Sequence, residues 1–169
     1  AQELIKLGYK PGLVSRGYGG KFRETLEVTN QTSVKQTGDE AQILAKLNLP
    51  FYIDKNRVRA VKTLVNNHTC DVIISDDGLQ HYNMNRDIEI VVIDGKRRFG
   101  NNLSFPAGPL RESKSRLKSV DFVVNNSGPT KDNEYLMNIS PSKFIHLKTG
   151  KSYLIKDWPM HKQEHAVAG

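Results

Sequence analysis

Apolar positions along the chain fall into short blocks whose period changes from block to block. Ala1, Leu4 and Ile5 share one face at the helical repeat, and Gly8 is placed to end that helix. Lys10 to Val14 reads as a short strand feeding the glycine-rich segment Ser15–Gly20. Ala41, Ile43, Leu44 and Leu47 form an apolar stripe, which predicts a helix directly after Gly38-Asp39-Glu40. Pro50 closes that helix. Phe51-Tyr52-Ile53 reads as a strand, and Val58, Val61, Leu64 and Val65 predict a second amphipathic helix. The runs Val72–Ser75, Ile88–Ile93 and Phe122–Val124 are continuously apolar, which predicts strands buried on both faces. Strands interleaved with helices predict an α/β fold with a mostly parallel sheet and flanking helices.

The texture changes after Ser127-Gly128-Pro129. Phe144–Leu147 and Ser152–Ile155 flank Lys148-Thr149-Gly150-Lys151 and predict a hairpin. His165–Gly169 opens an apolar strand. A helix already under way at the first residue, and a strand begun at the last, predict an internal piece of a longer chain.

Composition narrows the class. The 169 residues are 37% hydrophobic and 25% charged, the balance of a soluble globular protein with one good core. No apolar run approaches the ~20 residues a membrane span needs. One cysteine, Cys70, forms no internal disulfide and points to a reducing compartment. The net charge of +7 favours anionic partners. It is clustered: Lys96, Arg97, Arg98, Arg111, Lys114, Arg116 and Lys118 lie between Gly95 and Val120, against Glu112 alone.

The chemistry collects beyond the predicted strands, where ligand sites of parallel sheets gather. Asp76 and Asp77 follow the run 72–75 and offer magnesium two hard oxygen ligands; Asp-Gly is also an ordinary turn former. Asp94 ends another strand, without a second acid. Asp39 and Glu40 sit at a positive helix N-terminus, as caps or, for Asp39, as a general base. Arg16 and Tyr18, between Ser15, Gly17, Gly19 and Gly20, suit contact with a charged ligand. Arg111, in a loop stiffened by Pro106 and Pro109, presents a planar guanidinium suited to phosphate. His81 reads as a structural histidine or a ligand contact.

The stretches Ser-Arg-Gly-Tyr-Gly-Gly at 15–20, Gly-Asp-Glu at 38–40 and Asp-Asp-Gly-Leu-Gln-His at 76–81, then Phe99-Gly100-Asn101, Pro-Ala-Gly-Pro-Leu-Arg-Glu at 106–112 and His165–Gly169, stand in a telling order. In that order and spacing the chain resembles the tetraacyldisaccharide 4'-kinase family, the lipid A 4'-kinases. The resemblance implies an incomplete P-loop NTPase-like kinase domain over 1–128, a β linker over 129–164 and the start of a second α/β domain at 165–169. It implies ATP- and Mg2+-dependent phosphorylation of the 4'-hydroxyl of a tetraacyl glucosamine disaccharide 1-phosphate. The setting it implies is the cytoplasmic face of the inner membrane, with no nucleic-acid partner. Residue by residue, Asp39 matches the catalytic base, and Asp76 and Asp77 match the acidic strand end near magnesium. Arg111 and Glu112 match functional residues after the Pro-Ala-Gly-Pro turn. Gln80 and His81 line the site, and Ser15, Arg16, Tyr18, Gly19 and Glu40 fall at substrate-binding positions. Phe105 stands where the family usually has leucine. The family's P-loop is expected before Ala1 and most of the second domain after Gly169, so these residues alone are expected neither to bind ATP tightly nor to turn over. Two other classes fit part of the pattern: another P-loop NTPase, indifferent to lipid, and a basic anion- or nucleic-acid-binding module, with steep salt dependence.

Overall fold

The computed structural model describes residues 1–146 and 149–155. They form two compact units, Ala1–Asp87 and a second from Ile88 onward. In chain order the first holds α1 (Gln2–Lys6), β1 (Pro11–Ser15), β2 (Leu26–Glu27), α2 (Val34–Thr37), α3 (Asp39–Ala45), β3 (Phe51–Ile53), α4 (Arg57–Asn67) and β4 (Val72–Ser75). The second holds β5 (Ile90–Asp94), a 3-10 turn (Lys114–Lys118), β6 (Phe122–Asn126), β7 (Glu134–Met137), β8 (Lys143–Ile145) and β9 (Ser152–Leu154).

The sheet of the first unit runs β2-β3-β1-β4. β1 pairs in parallel with β3 and β4, and β2 is antiparallel to β3. Neighbouring residues of β1 face opposite ways, as a strand requires. Leu13 packs with Phe51, Ile53, Ala41 and Ala45 on the α3 side. Val14 packs with Tyr52, Ala60 and Leu64 on the α4 side. Helices on both faces make β1 and β3 fully buried strands. The α4 stripe is real but turned: Ala60 and Leu64 are its sealed positions, while Val65 is exposed. Likewise Ala41 and Ala45, rather than Ile43, are the buried residues of α3.

The second unit carries an all-parallel sheet β5-β6-β7, with Ile90 opposite Phe122 and Val124 opposite Tyr135. The expectation of burial on both faces fails here. Ile90 and Val92 are exposed, and β4 is only half-buried along its length. β4 and β5 are edge strands of their sheets. Hydrophobic content records that a strand is buried somewhere, not which of its faces is covered within the described residues. Arg98 grips Glu134 of β7 through two bonds of 2.9 and 2.6 Å, and this holds the Glu134 carboxyl down at about 2. Asn125, fully buried, donates to the same carboxylate at 2.9 Å. The predicted hairpin is present as β8 paired antiparallel with β9. Leu147, Lys148 and the predicted strand at 165–169 lie outside the described residues.

Four elements escaped the sequence pattern: β2, α2, the 3-10 turn and β7. Each is short, and α2 and the turn start from serine caps, Ser33 and Ser113, rather than from an apolar period.

Candidate active site

Among the described residues, four strands end on or just before an acid, and the surroundings sort them; Glu27, which ends β2, meets His68 Nε2 at 3.2 Å. Asp54, after β3, is 1% exposed. Burial alone would raise its pKa, but the bidentate Arg59 contact at 2.6 and 2.9 Å, the Thr25 hydroxyl and the Asn56 N–H lower it instead. Asp94, the last residue of β5, caps the turn that follows, accepting from the Lys96 and Arg97 N–H groups at 2.9 Å each. Asp76 and Asp77, after β4, are both exposed. Asp54 and Asp94 are thus built into their own surroundings, whereas Asp76 and Asp77 lie on the exposed surface.

Asp76 and Asp77 are nevertheless firmly placed. The Asp76 N–H donates to Val14 O at 3.0 Å, continuing the β1–β4 ladder by one residue. The Asp54 N–H donates to Ser15 O at 3.1 Å on the other side of β1. The carboxyl ends of β1, β3 and β4 are thus tied side by side. Asp77 takes φ +47, a left-handed conformation that aspartate tolerates better than most residues, and so turns the chain sharply at the strand end. Beyond it, Arg86 donates to Gly78 O at 3.2 Å and His81 O at 3.0 Å, which pins the loop carrying Gln80 and His81.

Behind the pair lies Arg57, the first residue of α4, 1% exposed. Its Nη2 donates to Asp76 O at 2.8 Å and its Nη1 to Asp54 O at 3.3 Å, so one guanidinium bridges the ends of β3 and β4. Burial lowers its pKa, while the charges of Asp76 and Asp77 oppose that shift. Its Nε is buried without a partner. His81 is held neutral-leaning by burial and then by the positive charges of Arg57 and Arg16, with Asp77 opposing. Lys55, Arg57 and His81 line one shallow depression at this edge.

Asp39 is placed by a different route. The loop 15–20 after β1 lies against the backbone of residues 36–38: the Gly20 N–H turns back to Gly17 O, and the Lys21 N–H donates to Lys35 O, both at 3.0 Å. Gly38, at φ +82, approaches so closely that a Cβ there would collide with Tyr18 O. No other residue fits. Asp39 and Glu40 follow as the exposed first turn of α3. Arg16, Tyr18 and Gly19 are exposed on this loop, while Ser15 is buried in the last position of β1. The structure thus places Arg16, Tyr18 and Gly19 in the loop after β1, Asp76, Asp77, Gln80 and His81 in the loop after β4, and Asp39 and Glu40 in the first turn of α3, which the close approach of Gly38 to Tyr18 ties to the β1 loop.

Arg111 and Glu112 belong to the second unit. Arg111 is exposed. Glu112 pairs with Arg116 at 3.4 Å, and Arg116 also holds Glu89 through two contacts of 2.6 Å. Glu112 thereby braces the stretch that follows Arg111.

The family model described as tetraacyldisaccharide-1-P 4'-kinase matches residues 1–169. The chain belongs to this family. A tetraacyldisaccharide 4'-kinase of Ruthia magnifica is 48% identical over 171 residues, covering 100% of this chain and 54% of the relative. One from Shewanella frigidimarina is 51% identical over 142 residues, 83% of this chain and 42% of the relative. The crystal structure of LpxK from Aquifex aeolicus in complex with ATP superposes with a TM-score of 0.69 at 25% identity, covering 80% of this chain and 46% of that one. The chain therefore spans about half the length of the tetraacyldisaccharide 4'-kinases it matches, and its α/β fold with a mostly parallel sheet is that of the family.

Among the described residues, no group of three or more His, Cys, Asp or Glu side chains gathers as a ready-made metal cage. Magnesium does not require one. It keeps several waters and takes one or two carboxylates, with substrate phosphates completing its shell. Two exposed oxygen-only acids on a fixed strand end fit that demand.

Arg57 was not among the residues singled out by sequence. A signal was present: Arg57, Ala60, Val61 and Leu64 follow the helical i, i+3, i+4, i+7 spacing. An arginine in register with a core stripe marks a charge the fold must bury.

Proposed function

We propose that the full-length protein transfers the γ-phosphoryl group of ATP to the 4'-hydroxyl of a tetraacyl glucosamine disaccharide 1-phosphate, a step of lipid A biosynthesis. The observation that carries this reading is the family match along all 169 residues. ATP as donor is supported by the ATP complex of the Aquifex aeolicus relative.

In this mechanism Asp39 accepts the proton of the sugar hydroxyl as its oxygen attacks the γ-phosphorus. The new bond joins the 4'-oxygen to the γ-phosphorus; the bond that breaks joins the γ-phosphorus to the β–γ bridging oxygen, and ADP departs with the electron pair. Asp76 and Asp77 hold Mg2+, which neutralises charge on the phosphates when bound. Arg57 keeps the Asp76–Asp77 turn in place, and Arg16 offers positive charge beside it. Arg111 engages a phosphate of the lipid. Work at the cytoplasmic face of the inner membrane follows from a lipid acceptor and a nucleotide donor. No helix among the described residues is long and apolar enough to cross a membrane.

The test is direct transfer. The full-length protein, given γ-labelled ATP, Mg2+ and the tetraacyl disaccharide 1-phosphate, is expected to place label on the 4'-oxygen of the lipid. ADP release with no labelled lipid would overturn the reading in favour of a nucleotide hydrolase.

A further inference from the structure

Phe105 is 82% exposed, the highest value among the large hydrophobic residues described, and Leu103 close by is 51% exposed. Neither belongs to a loose tail. The segment 99–110 is a hydrogen-bonded knot built around Asn101, whose amide donates to Ala107 O at 2.8 Å and whose oxygen accepts from the Leu103 N–H at 3.1 Å. Backbone bonds from Phe105 to Leu110 O, Leu110 to Leu103 O and Gly108 to Ser104 O close it. Gly108 is locked inside: a Cβ there would collide with Asn101 Oδ1 and Leu103 O. A rigid loop that projects an aromatic and a leucine into solvent has been given something to bury them in.

The charge around the knot says what. Lys96 and Arg97 lead into it and Lys114 and Lys118 follow, all exposed. The neighbouring acids are engaged in the fold: Asp94 in its turn, Glu112 with Arg116, Glu134 with Arg98. Lys114 lies 5.0 Å from the Phe99 ring, extending the cationic rim to the base of the knot. Apolar tips within a cationic rim match an anionic bilayer: lipid phosphates take the lysines and the interface takes the apolar side chains. An acidic protein partner would offer carboxylates but no continuous apolar layer beneath them.

We propose that Leu103 and Phe105 form a membrane-contact wedge that enters the interface of an anionic bilayer while Lys96, Arg97, Lys114 and Lys118 engage its headgroups. The proposal rests on the lipid-kinase reading and deepens it, because the knot lies between β5 and Arg111. A wedge there holds the loop bearing Arg111 at headgroup level, where the substrate's phosphate lies.

The experiment uses the full-length protein with Phe105→Trp and vesicles of phosphatidylethanolamine and phosphatidylglycerol carrying bromine near the top of the acyl chains. Emission from the introduced indole should be quenched well beyond the quenching of wild-type protein, and the excess should vanish with phosphatidylcholine vesicles. In a parallel sedimentation assay, Phe105→Glu should weaken binding to the anionic vesicles about tenfold or more. Phosphorylation of detergent-dispersed substrate reports separately on the enzyme. Active protein whose introduced indole is not quenched, or whose vesicle affinity is untouched by Phe105→Glu, overturns the wedge while leaving the kinase reading intact. Quenching without lipid phosphorylation overturns the kinase reading alone.

Discussion

Replacing Asp39 with alanine in the full-length protein is expected to lower kcat for lipid phosphorylation by roughly a hundred- to ten-thousand-fold. ATP affinity should stay within about twofold of wild type, because a base acts on the acceptor and only as the transition state forms. The structure supports a clean variant. Asp39 is exposed, it lies in the first turn of α3, and the N-cap of that helix is Gly38, which makes no side-chain capping bond. Losing the carboxylate therefore removes no buried partner. The stability cost is limited to the helix-terminus charge effect, at most about 1 kcal/mol. A rate loss with an unchanged melting temperature identifies chemistry, whereas equal rates in the two proteins would remove Asp39 from the reaction.

Arg57→Met should be the most damaging single change to the first unit. The guanidinium is sealed between the ends of β3 and β4 and donates to a carbonyl on each. Methionine fills the volume but leaves both carbonyls without that donor, at a cost of about 2–4 kcal/mol, enough to lower the melting temperature by several degrees. Arg57→Lys separates support of the fold from placement of the acids. A lysine keeps the charge but cannot span two carbonyls with a planar fork. The folded Lys variant is expected to need several-fold more Mg2+ for half-maximal rate, since the Asp76–Asp77 turn is no longer pinned at Asp76 O. An unchanged Mg2+ requirement alongside a lowered melting temperature would mean that Arg57 only supports the fold.

Much of this was written in the residue pattern, for reasons that can be named. The stripes at 41–47 and 58–65 and the run 51–53 predicted α3, α4 and β3, because burial against a sheet imposes a period that sequence records. The acids at 39 and 40 fell on the helix N-terminus where the macrodipole favours them. The motif glycine at 38 is explained by contact, since only a residue without Cβ can pass Tyr18 O so closely. What could not be read was which face of a strand is covered. Ile90 and Val92 are as apolar as Val14, yet Val14 has helices on both sides of its sheet. The pattern set Asp94 below the Asp76–Asp77 pair for want of a second acid, but it did not register Asp54 as a strand-ending acid. Asp54 became structural through Arg59 and Thr25, and Asp94 through its own backbone turn, contacts that depend on three-dimensional neighbours. The buried arginine was hidden by its type: a charge is read as surface until something shows it beneath the sheet edge.

The division of labour between the acids is the centre of the account, and Mn2+ in place of Mg2+ measures it. Electron paramagnetic resonance titration of Mn2+ into the full-length protein with ATP gives an affinity for wild type and for Asp39→Ala, Asp76→Ala and Asp77→Ala. Loss of affinity by roughly tenfold or more on removing Asp76 or Asp77, with Asp39→Ala at the wild-type value, is the predicted result. Mn2+ binding that ignores both residues after β4, or that falls as far when Asp39 is removed, would contradict it.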